Sequence, residues 1–136
     1  MLKKIEHART AEAFFSVAAA SFTSLDIETA LELFHTDSVM VDATGRVHSG
    51  KDAIAMELKR FFSLGLPIHS TRRHLVVSGD IALQISDWRL RGTAKDGIEI
   101  DIGGTATDVL CRRNDGIWRY IIDNPLGILS QGVGQL

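Results

Sequence analysis

The chain has little with which to staple, span or coat anything. Its 136 residues include one cysteine, Cys111, which excludes an internal disulfide and fits a reducing compartment. With no CxxC partner, Cys111 reads as a small apolar packing residue. No stretch approaches the roughly 20 apolar residues of a membrane span. The segment MLKKIEHARTAEAFFSVAAASF sets two lysines before apolar residues, as a signal peptide does. Glu6, His7, Arg9 and Glu12 interrupt it, and the rest keeps a helical stripe, so a cytoplasmic amphipathic helix is expected. A net charge of −2 gives no basic footprint, which argues against nucleic acid as a partner. Repeats, linkers and low-complexity runs are missing too, so residues 1–136 are expected to form one domain.

What is present is ordinary for a packed globular chain: 45% hydrophobic and 24% charged residues. Ala11, Phe14, Phe15, Ala18, Ala19 and Phe22 recur at helical spacing and predict a first helix. A second is expected from Asp26, a good N-cap, carrying Ile27, Ala30, Leu31 and Phe34 and ending at His35. Val39 to Asp42 reads as a short strand with a turn at Thr44-Gly45. A third helix starts at Ser49-Gly50, with Ile54, Leu58 and Phe61 on one stripe, and ends near Gly65-Leu66-Pro67. From Ile68 the period changes. Segments 68–78, 80–92, 98–112 and 117–124 are separated by Ser78-Gly79-Asp80, Asp96-Gly97 and Asn114-Asp115-Gly116, which are hairpin turn signals. Helices followed by a meander predict an α+β fold, with a curved sheet over three helices and a conical pocket between the layers. Gly103-Gly104 is expected to be a bend or bulge that supplies curvature.

The aspartates carry the functional reading. Asp42 closes the apolar strand Val39-Met40-Val41, so it either binds turn amides or points into a cavity. Asp108 lies inside a strand, where aspartate is disfavoured and needs a reason; facing a cavity it would be desolvated and partly protonated, and otherwise it would pair with a strand arginine. Asp87 shares strand parity with Ile81, Leu83 and Ile85, and Asp123 with Ile121, so both are expected on the aliphatic side. Four carboxylates would then approach one cavity, some protonated or paired with Arg89 or Arg91. Trp88 and Trp118 read as core, interface or cavity wall. His69 and His74, five apart in a strand, are expected on opposite faces, and no metal site is expected.

The order of elements, with LDIETALELFHTDSVMVDATGRVHSGKDAI, VVSGDIALQISDWRLRG and DVLCRRNDGIWRYIIDNPLG, resembles the nuclear transport factor two-like superfamily. Within it the chain is similar to the SnoaL-like, ketosteroid isomerase homologue branch. The resemblance implies a cone of three N-terminal helices on a strongly curved, mostly antiparallel sheet. It implies a pocket for a small apolar ligand with a polar handle, lined by Phe15, Ala18, Phe61, Trp88, Ile121, Asp87 and Asp123. Asp42 falls where the isomerase keeps its proton-shuttling base, and Asp108 where it keeps its protonated, oxyanion-stabilising acid. That neutral acid is the isomerase's own documented chemistry. The isomerase's oxyanion tyrosine falls at Ala18, which lacks a hydroxyl. A cofactor-independent isomerase, cyclase or dehydratase is implied, with a non-catalytic binding or assembly module as the alternative. An Asp-Arg-Asp cluster would resemble the superfamily's epoxide hydrolases. A homodimer through the outer sheet face is also implied, using Val109, Cys111, Trp118 and Tyr120.

Overall fold

The computed structural model describes residues 7–127. Helix α1 spans Ala11–Thr23 and starts where Thr10 Oγ1 accepts from the Ala13 amide at 3.1 Å. Helix α2, Ile27–Leu31, is a single turn. Strand β1 begins at once, at Phe34, and runs to Val41, with β2 at Val47–Ser49. Helix α3, Lys51–Phe62, follows Gly50, whose φ of 86° favours glycine. Strands β3 (Ile68–Ser78), β4 (Ile81–Thr93), β5 (Glu99–Arg112) and β6 (Trp118–Asp123) follow among the described residues.

The six strands form one curved sheet in the order β2-β1-β6-β5-β4-β3. Among the described strands, only β1 and β6 pair in parallel. The meander therefore starts at the far edge and walks back until β6 closes beside β1. This is the α+β cone, with three helices across one sheet face.

The second helix ends earlier than the spacing of its apolar residues suggests. Phe34 and His35 belong to β1, where Ser38 Oγ donates to the Tyr120 carbonyl at 2.6 Å and accepts from the His35 amide at 2.8 Å. That hydroxyl holds the bulge between Phe34 and Val39, across which the β1–β6 register shifts. His35 thus meets no helix dipole. Its Nε2 faces the Cys111 carbonyl at 3.2 Å, and burial lowers its pKa.

Three further expectations change. The β4–β5 ladder runs through Gly103 and Gly104 without a shift; the register shifts lie at Arg72/His74, Val109/Leu110 and Phe34/Val39. Gly103 instead permits a close approach, because a Cβ there would collide with the Trp88 carbonyl oxygen. The shift at Arg72/His74 sets His69 opposite Arg89 and His74 opposite Ile85, which puts both histidines on one face, roughly 13 Å apart along the strand. Finally, Trp118 and Tyr120 face inward. Tyr120 pairs with Leu110 and Phe34 in register, and its ring meets Phe14 edge-on at 4.7 Å in the core. They cannot contribute to an outer interface.

Candidate functional site

Between α1, α3 and the inner sheet face lies a concave, largely apolar cavity that opens to solvent at one side, the kind of setting small-molecule sites use. Its walls are apolar. Phe15, Ala18 and Phe22 come from α1, and Leu58, Phe61 and Phe62 from α3. Trp88 closes one side, edge-on to Phe61 at 6.0 Å, with its indole Nε1 donating to the Pro125 carbonyl at 2.6 Å.

The polar groups gather on the sheet: Asp108, Asp123, Gln84, Ser86 and the Tyr120 phenol. Asp108 is 2% exposed and Asp123 6%. Burial raises the Asp108 pKa to about 6, against the pull of the Asn124 amide at 2.9 Å and side-chain hydrogen bonds from Asp123 and Gln84. Asp123 is pushed well above the carboxylate range by burial and then by the Asp108 charge. Two touching carboxyls in a dry site cannot both ionise, so they share a proton. Among the described residues, Gln84 Oε1 is buried with no hydrogen-bond partner, an acceptor beside the cavity. Together these groups can give a proton, take one, and receive a hydrogen bond.

Asp123 reaches the cavity by a route the alternation does not predict. Val109 pairs with Ile122 and Leu110 with Tyr120, so Ile121 is an extra residue in β6. The bulge turns Tyr120 and Asp123 to the same inner side. Ile121 itself does not line the cavity.

Asp87 is on the other side of the sheet. The parity with Ile81, Leu83 and Ile85 holds, but that aliphatic side is the outer face, while Ala82, Gln84, Ser86 and Leu90 are buried beneath the helices. Arg73 grips Asp87 through two bonds of 2.8 and 3.0 Å, Thr105 Oγ1 adds a third at 2.7 Å, and the arginine chiefly holds the carboxyl ionised. Arg89 is likewise committed to Asp101 at 2.8 and 2.9 Å. The Asp-Arg-Asp cluster is not assembled in the cavity.

Asp42 is also outside this cavity. Its Oδ1 accepts from the Thr44 amide at 2.8 Å, Thr44 Oγ1 at 2.6 Å and the Arg46 amide at 3.0 Å, which is the turn-capping alternative. Its Oδ2 lies 2.9 Å from His48 Nε2. The hydrogen bonds from Thr44 and His48 hold its pKa far below the usual carboxylate range. A carboxylate so well satisfied is a weak base. It lines a second cavity, which shares Met40, Phe61 and Pro125 with the first.

Gln84, Ser86 and Tyr120 escape a reading of the sequence alone. A signal was there: β4 alternates aliphatic Ile81, Leu83 and Ile85 with polar Gln84 and Ser86, and the polar set is the buried one.

The three helices on a curved, open mixed sheet make a fold shared with ketosteroid isomerase-like and NTF2-like proteins. The chain belongs to the SnoaL-like domain family, whose profile matches residues 11–120. Among solved structures it is similar to a ketosteroid isomerase-like protein from Erwinia carotovora atroseptica (TM-score 0.72, 21% identity, covering 83% of this chain and 89% of that one). It is similar to a candidate dehydratase of the NTF2-like family from Streptomyces avermitilis (0.71, 18%, 88% and 94%). A third is a candidate calcium/calmodulin-dependent protein kinase II association domain from Xanthomonas campestris (0.67, 16%, 95% and 100%). These identities establish a shared fold alone. No curated protein matches the chain. Among the described residues, no helix is long and apolar enough to cross a membrane.

Proposed function

We propose that the cone binds a small, largely apolar molecule whose polar group sits on Asp108, Asp123 and Gln84, and that the acid pair moves a proton on it. The observation that carries this is the buried, proton-sharing pair beside an unpaired Gln84 oxygen in an otherwise apolar cavity. Protonated Asp123 donates to a carbonyl oxygen while ionised Asp108 takes the proton from the adjacent carbon, and return of a proton elsewhere completes an isomerisation or elimination. No cofactor enters this scheme. Asp42, as a turn-bound carboxylate outside the cavity, is not assigned the base.

A second reading, binding without turnover, is favoured by Ala18, which brings only a methyl group to the cavity wall. Both readings include a homodimer through the outer sheet face. Val76, Leu83, Val109, Ile122 and Val39 stand directly opposite one another across five strands there, with Val76 60% and Leu83 40% exposed. The single thiol, Cys111, supports a cytoplasmic setting.

Native mass spectrometry of the purified chain tests the binding reading. A small molecule retained by the wild type and lost in Asp108→Asn and Asp123→Asn supports it. Absence of any retained molecule, together with no thermal shift from an apolar fluorescent probe, sinks it.

A further inference from the structure

A separate cluster of ligand atoms lies where the β1–β2 hairpin folds over α3. Asp42 comes from just past β1, His48 from β2 and Glu57 from the middle of α3. His48 Nε2 stands 2.9 Å from Asp42 Oδ2 and 3.4 Å from Glu57 Oε1, and one ligand atom from each residue lies within 4.8 Å of the others.

In this cluster one imidazole nitrogen faces two carboxylates. One imidazole nitrogen offers at most one proton, and its geometry gives that proton to Asp42. Glu57 is only 7% exposed, and His48 meets its carboxylate in an ion-pair contact of 3.4 Å, longer than the 2.9 Å contact to Asp42. Its other cationic neighbour is Arg60 at 3.8 Å, whose side chain is 77% exposed. A carboxylate so buried, held by such long ion-pair contacts, gains from a closer cationic partner.

We propose that Asp42, His48 and Glu57 bind a divalent first-row transition-metal ion of the zinc or manganese class. Such an ion takes the Nε2 lone pair and one oxygen from each carboxylate. Its two positive charges offset the two negative ones, which a single shared proton cannot do. Metal–ligand lengths of about 2.0–2.2 Å set neighbouring ligand atoms about 3–3.5 Å apart, close to the two separations made by His48. Imidazole with two carboxylates suits zinc, manganese or iron, whereas calcium and magnesium favour oxygen alone.

The surroundings fit the same reading. Asp42 is already oriented by the three donors on Oδ1, leaving Oδ2 for the metal, which is the outer bracing that metal-bound carboxylates need. The second cavity, bounded by Asp42, Glu57, Arg60, Leu64 and Ile102, leaves room for water or a small ligand on the ion. The ion would pin the hairpin to α3. This inference does not depend on the reaction proposed for the acid pair.

The test is calorimetric titration of the full chain, first stripped with chelator, using ZnCl2 and MnCl2 in turn. One ion per chain is expected, insensitive to excess MgCl2. His48→Gln and Glu57→Gln should each weaken binding by more than about 100-fold, and Thr44→Val by about 10-fold through lost bracing. Visible absorption of the Co2+ form should change in both ligand variants. If Glu57→Gln does not fold, His48→Gln alone decides. No binding by the wild type overturns the proposal. So does equal binding by wild type and His48→Gln, because the ion would then sit on other histidines and His48 would be only a proton donor to Asp42.

Discussion

The carboxyl of Asp123 hydrogen-bonds the carboxyl of Asp108 inside the cone, and burial keeps a proton between them. In the folded chain these groups hold protons at a pH where the unfolded chain has released them. The folded state therefore binds more protons, and stability must fall as pH rises.

That fall begins near the ordinary carboxylate value of 3.8, passes through about 6 for Asp108, and continues upward for Asp123. Its slope approaches about 1.4 kcal/mol per pH unit for each group retaining its proton. Asp37, Asp87, Asp101 and Asp115, held down chiefly by arginine hydrogen bonds, act in the opposite sense and only as pH drops below 3.8. Urea unfolding at pH 5 and pH 8 should show wild type weaker at pH 8, with a smaller drop in Asp123→Asn, where only the Asp108 contribution remains. Equal wild-type stability at both values would remove the shared proton.

Asp42 and Asp108 should separate in experiment. Asp42→Asn disturbs the turn and the His48 contact and should lower the melting temperature, while leaving occupancy of the main cavity unchanged. Asp108→Asn should do the reverse to occupancy. If Asp42→Asn abolished turnover of an identified substrate without affecting the fold, the assignment of proton transfer to the acid pair would be wrong.

Gly103→Ala probes the close approach of β4 and β5. The new methyl meets the backbone carbonyl of Trp88, which cannot rotate away as a side chain would. A loss of about 1–3 kcal/mol is expected from this crowding, read by denaturant midpoint. Gly104→Ala is the comparison at the adjoining residue. Unchanged stability in Gly103→Ala would mean the strands part easily.

The outer row makes a prediction about assembly. Leu83→Arg combined with Ile122→Arg places like charges in the apolar row that crosses Val109. Light scattering should show a wild-type dimer at micromolar concentration and a folded monomer in the double variant. A dimer that survives both charges uses another surface.

Much of the architecture was legible because it rests on local chemistry. The Gly-containing turns between the four long strands, and the helical spacing of Phe14, Ala18, Ile54 and Leu58, depend on residues near one another in sequence. The helix stripes reach the core directly, and strand ends fall within a few residues of the turn signals. Asp108 stood out as a mid-strand aspartate for the same local reason.

Which sheet face meets the helices was decided only in three dimensions. Alternation says that Asp87 lies with Ile81, Leu83 and Ile85; it does not say that this set faces outward while Gln84 and Ser86 are buried. Bulges changed parity again, turning Asp123 inward past Ile121 and bringing His69 and His74 to one face. One inserted residue reverses every side chain beyond it, and where it inserts depends on the partner strand. Likewise the convergence of Asp42, His48 and Glu57 follows from a hairpin folding onto a helix, a distance in space that no spacing along the chain encodes. The sequence determined the elements and the supply of acids; the tertiary structure decided which acids share a proton, because that depends on which side of the sheet excludes water.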